Sequence, residues 1–73
     1  LAKINWDEYK EYKQYNSKEN NFEILIDFIK SYYNMTNAYD IFAILNEDDT
    51  AKMMLDKREI KDAEGLENFM LKL

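Results

Sequence analysis

The stretch FEILIDFIKSYY, residues 22–33, limits most strongly what this chain can become. At 3.6 residues per turn, Phe22, Leu25, Ile26, Ile29, Tyr32 and Tyr33 share one helical face. Ile24, Phe28 and Met35 widen that face to about 200°, leaving Glu23, Asp27, Lys30, Ser31 and Asn34 for water. A helix apolar over so wide an arc has to be packed on more than one side. In a chain of 73 residues it is central, and the other segments have to cover it.

Those segments carry helix signals of their own. With no Pro and a single Gly, the chain lacks the devices of tight hairpins and flexible linkers, and Asn punctuates it instead at eight positions. Asn5 followed by Glu8 has the spacing of a capping box, and Ile4 with Tyr9 has that of a hydrophobic staple, so a first helix starts at residue 6. Asn20 and Glu23 repeat the spacing and open the second helix. Thr36 or Asn37 caps a third, with a stripe of Ala38, Ile41, Phe42 and Leu45. The acids of NEDDTAKMMLDK, residues 46–57, suit the positive end of a fourth helix, which turns Ala51, Met54 and Leu55 inward. Residues 58–62 form an irregular connection. Asp62 then caps a fifth helix that aligns Leu66, Phe69, Met70 and Leu73, with Gly65 in its first turn. No strand-like alternation competes. The expected fold is all-α: one compact domain, residues 1–73, of four to five short helices.

A chain this short buries only about 60–65% of its unfolded surface and needs additional stabilisation. Without Cys there are no disulfides, and without Cys or His zinc has no suitable ligands. The aromatic and Met side chains, or a partner chain, are left to supply it. The absence of His, Cys and a Gly-rich phosphate loop also removes the usual bases and nucleophiles, so the chain is expected not to be an enzyme and to need no cofactor. The net charge is −5, with eight acids against four bases in residues 47–67, a surface that repels nucleic acid phosphates. The third and fourth helices have helix-turn-helix proportions, yet the second of them leads with acids where base reading needs Arg or Lys. No apolar run approaches the length of a membrane span, and no signal-peptide pattern opens the chain, so the expected compartment is the cytoplasm. Asn34-Met35-Thr36 matches a glycosylation acceptor by chance at a helix end.

Tyr9, Tyr12 and Tyr15 follow Trp6 at intervals of three. Three residues turn only about 300°, so the rings drift by about 60° per step and wrap obliquely around the helix. One neighbouring helix covers part of such a stripe. Trp6 and Tyr9 are expected in the core, and Tyr12 and Tyr15 on a partner-facing surface, where an apolar ring with a polar tip is well suited. Met53 projects away from the Ala51/Met54/Leu55 face and joins that surface as an adaptable contact.

AKINWDEY, residues 2–9, has an apolar Ile4 four residues before Glu8 and an aromatic Tyr9 just after it; together with LNEDDTAKMML, EGLENFMLKL and FEILIDFIKSYY it resembles parts of an EF-hand lobe of the calmodulin and myosin-light-chain superfamily. In that resemblance AKINWDEY is similar to the second half of a loop and its exit helix, with Ile4 at the apolar eighth position and Glu8 at the twelfth. LNEDDTAKMML resembles an acidic helix entry, EGLENFMLKL a last exit helix, and FEILIDFIKSYY the entry helix before it. No segment carries the D-x-[DN]-x-[DN]-G ligand pattern, so the resemblance implies a lobe that holds a helix without calcium.

The expected function is therefore a non-enzymatic protein-binding module that docks a partner helix or subunit, or associates with itself, through an aromatic/Met surface formed by Tyr12, Tyr15 and Met53. The competing reading is a small acidic inhibitor, phage- or plasmid-borne, that blocks a basic site by charge mimicry. The Lys/Asn/Ile/Tyr bias fits an AT-rich genome of either kind.

Overall fold

Each of the five helices among the described residues opens on the side chain of an Asn or Asp, which accepts a bond from an amide that the helix itself cannot satisfy. Asn5 accepts from the Glu8 amide at 3.2 Å and starts α1, Trp6–Gln14. Asn20 accepts from the amides of Phe22 and Glu23 and starts α2, Asn21–Tyr32. Asn37, and not Thr36, caps α3, Ala38–Glu47, through the Tyr39 amide. Asp48 opens α4, Asp49–Lys57, and Asp62 opens α5, Ala63–Leu71. The structure, a computed structural model, describes residues 3–15 and 20–73. Ala2 of the EF-hand-like stretch and Asn16 of the punctuating asparagines lie outside the described residues. Among the described residues there is no strand, and the architecture is all-α.

Two helices end on a left-handed residue that is not Gly. Asn34 follows α2 at φ 56° and Glu59 follows α4 at φ 56°. Asn tolerates this region through its short polar side chain, whereas Glu has no such compensation. At Glu59 the chain closes a Schellman motif: Ile60 N–H donates to the Leu55 carbonyl at 3.0 Å and Glu59 N–H to that of Asp56 at 3.1 Å. The motif turns Ile60 back onto Leu55, and both are buried. This is why Ile60, within the expected irregular connection, joins the core.

α2 occupies the centre. Phe22, Ile24, Leu25, Ile26, Phe28 and Ile29 are all buried, so the helix is covered over a wide arc from Phe22 to Ile29. α1 packs on α2, and α3 packs on α2, α4 and α5. The radius of gyration is 11.3 Å, against about 11 Å for a folded chain of this length. Because α3 touches so many neighbours, its buried face extends beyond the expected stripe to Ile44. Two inward assignments are corrected. Tyr32 is half exposed, because it lies at the end of α2 with one ring face stacked on Phe28. Leu73 is exposed, because α5 ends at Leu71.

Polar side chains tie distant elements together. Trp6 Nε1 donates to Asp48 Oδ2 at 2.9 Å, joining α1 to the α3–α4 junction. The Tyr33 hydroxyl donates to the Lys3 carbonyl and accepts the Asn5 amide at 2.9 Å. The Asn5 amide thus goes to Tyr33 and not to Glu8, so the capping box at α1 forms its Asn5–Glu8 amide half but not the reciprocal bond. Arg58 donates to the Met54 carbonyl and to Asn20 Oδ1, with its guanidinium 4.5 Å over the Phe22 ring.

Candidate functional site

The drift of the α1 tyrosines is displayed as a gradient of exposure. Tyr9 is buried, Tyr12 is half-buried against the core, and Tyr15 is 87% exposed. Tyr9 donates its hydroxyl to the Asn21 carbonyl at 3.1 Å, and burial raises its phenol above the ordinary value. Trp6, partly buried, meets Tyr9 edge to face at 5.5 Å.

Phe28 is the hub of this region. It is buried, and the rings of Tyr9, Tyr12, Tyr32 and Tyr33 lie 5.0–6.1 Å from its own. Tyr32 stacks on it at an interplanar angle of 23°, and Tyr12 meets it tilted at 57°. Two partly open tyrosines from two helices therefore rest on one buried ring. Edge-to-face and offset-stacked pairs of this kind hold their geometry beyond simple area burial. The result is a pre-formed aromatic face, built by Tyr12 and Tyr32, with Tyr15 following at the C-cap of α1.

Met53 is 60% exposed on α4. The ring contacts and hydrogen bonds described for α1 run to α2 and, through Trp6, to Asp48; they do not gather Met53 with Tyr12 and Tyr15. The sequence missed Tyr32 as a surface residue. Its place on the apolar face of α2 was a correct reading of the helix, but which end of that face lies beyond the reach of α1 is a tertiary matter.

Two concavities complete the surface. A cleft of about 290 Å³ is lined by Lys3, Ile4, Ile44, Glu47, Asp48 and Asp49. Asp48 is already committed there, to the Ala51 amide and to Trp6. A groove of about 510 Å³ runs between the end of α2, the start of α3 and the last turns of α5. Among the described residues, no group of three or more carboxylates is placed to hold a metal ion, and no buried polar side-chain atom lacks a hydrogen-bond partner. Among the described residues, no helix is long and apolar enough to cross a membrane. Comparison with protein-family models finds no match, and neither does comparison with curated proteins or with solved structures.

Proposed function

We propose that the chain is a non-enzymatic protein-binding module that docks a partner helix or subunit through the aromatic face of α1 and α2. The observation that carries this is the pair of partly open rings, Tyr12 and Tyr32, fixed on the buried Phe28 ring. A fixed aromatic ring offers a large contact area at a small entropic cost, because its rotamer is already set before the partner arrives. Tyr15 supplies a further ring at the C-cap of the helix that carries Tyr12. Met53, exposed on α4, is a further candidate contact outside this aromatic face. The EF-hand-like stretches give one form of this reading, a lobe that holds a helix without calcium; calorimetry with millimolar calcium then shows no saturable heat.

The test is affinity capture from the native source, with the wild-type chain beside Tyr15→Ala, Tyr32→Ala and Met53→Ala. Circular dichroism confirms that each variant keeps its helices. The expected outcome is a captured protein lost or depleted with both tyrosine variants, each weakening binding by more than about 1 kcal/mol. Binding through apolar rings changes little as salt rises from about 0.1 M to about 0.5 M, whereas acidic mimicry weakens steeply. Capture that ignores both tyrosine substitutions and collapses in salt overturns the aromatic reading in favour of acidic inhibition.

A further inference from the structure

The groove at the far side of α2 has a property that the aromatic face lacks. One wall is α2, carrying Lys30, and the other is α5, carrying Glu67, Met70 and Leu71; Ala38 and Tyr39 of α3 lie between. Lys30 is about 200° around the helix from Phe28, so the two surfaces look in different directions. Two of its apolar lining residues lie open to solvent: Leu71 is 78% exposed and Tyr39 is 59% exposed. Its two charges are opposite in sign and stand on opposite walls.

We infer that this groove binds a second copy of the same groove, forming a two-fold symmetric dimer. In an isologous interface each residue i that meets j is matched by j meeting i. A two-fold axis lying in the interface plane, along the groove, lays the α2 wall of one copy over the α5 wall of the other. Lys30 of each copy then faces Glu67 of its partner copy, and Tyr39 and Leu71 of each are covered by the other's apolar lining. A groove with two like charges would not be self-complementary in this way.

The chain carries −5 overall, which opposes self-association, but at 0.15 M salt charges further apart than about 8 Å are largely screened. A face with one Lys and one Glu is where two acidic copies meet with least repulsion. The dimer also covers apolar surface that a chain of this size cannot bury alone. These residues are not those of the aromatic docking face, so either proposal can fail without the other.

Charge reversal tests it in a way that only this symmetry satisfies. Sedimentation equilibrium of the wild-type chain from about 10 μM to about 1 mM spans the range of weak and moderate dimers. The expected result is a reversible monomer–dimer equilibrium. Lys30→Glu alone and Glu67→Lys alone each place like charges opposite one another twice, and each raises the dissociation constant by about tenfold or more. The double variant Lys30→Glu/Glu67→Lys restores dimerisation. Mixing the two single variants yields heterodimers in preference to either homodimer, because both cross-pairs are then opposite in sign. Leu71→Asp, at an exposed site that leaves folding intact, abolishes the dimer. A chain that stays monomeric at about 1 mM, a dimer indifferent to Leu71→Asp, or single variants that do not prefer each other overturns the proposal; the first of these assigns the groove to a different protein.

Discussion

Replacing Asp48 by Ala is the most informative perturbation of the fold, because one carboxylate holds two elements. Its Oδ1 accepts the Ala51 amide at 3.0 Å and caps α4, and its Oδ2 accepts Trp6 Nε1 at 2.9 Å from α1. Loss of the cap costs about 1 kcal/mol. Loss of a hydrogen bond to a charged acceptor costs about 1.5–3 kcal/mol, taken at the lower end because the indole is only partly buried. The sum is about 2–3 kcal/mol, set against a native stability of about 4–11 kcal/mol for a chain of this length. A domain this small loses about 4–8 °C of melting temperature per kcal/mol, so Asp48→Ala lowers the transition by about 10–20 °C. Asp48→Asn retains one acceptor oxygen and loses about half as much. Trp6 is the single tryptophan, so its fluorescence in a urea titration follows the bond being tested. The double-mutant cycle with Trp6→Phe isolates the pair, with an expected coupling of about 0.5–1.5 kcal/mol. If Asp48→Ala and Trp6→Phe are additive, the indole bond contributes nothing, and α1 is held at this junction by packing alone.

Three further outcomes are expected. Asn5→Ala destabilises the chain by about 0.5–2 kcal/mol through loss of the α1 cap, and an unchanged denaturation midpoint refutes that cap. Glu59→Gly stabilises it by about 0.5–1 kcal/mol, because Gly meets no penalty in the left-handed region at the end of α4; a lower midpoint shows that residue 59 is not held at positive φ. Burial raises the Tyr9 phenol above its ordinary 10.0, so the folded state holds that proton more tightly than the unfolded one. The associated stability is intact below about pH 10 and is lost as pH rises through the folded value. Tyr9→Phe therefore flattens the alkaline limb of a plot of denaturation midpoint against pH, and an unaltered limb assigns it to other groups.

What the sequence made legible was local. An Asn or Asp cap acts within three residues, so the starts of α1, α2 and α5 could be read at their caps and that of α3 to within Thr36 or Asn37, whereas the acids of residues 46–57 marked α4 without singling out Asp48. The wide apolar arc of α2 and the oblique tyrosines of α1 follow from helical geometry alone, and the exposure gradient from Tyr9 to Tyr15 is that geometry made visible. The features that escaped depend on which element lies beside which. Ile60 looked like part of a polar connection, because its burial comes from a helix-terminating motif built around a non-Gly residue. Tyr32 lies on the apolar face of α2 but beyond its covered part, and Tyr39 and Leu71 share a groove because of how α5 lies against α3. The partner of the Asn5 amide is 28 residues away. No local pattern announces such a bond.

That last bond bears on how the molecule opens. The amide at an N-cap is ordinarily among the first to exchange with solvent, since the helix gives it no acceptor. Here the Asn5 N–H is held by a hydroxyl at the end of α2, and the same hydroxyl grips the Lys3 carbonyl. Fraying of the first turn of α1 is therefore not enough to release it; the contact between the segment before α1 and the end of α2 must part as well. In native-state deuterium exchange the Asn5 amide should report the separation of the α1–α2 pair, at a rate far below that of a free helix end. Tyr33→Phe, which keeps the ring and removes the hydroxyl, should return that amide to fast exchange while leaving the amides in the middle of α2 unchanged.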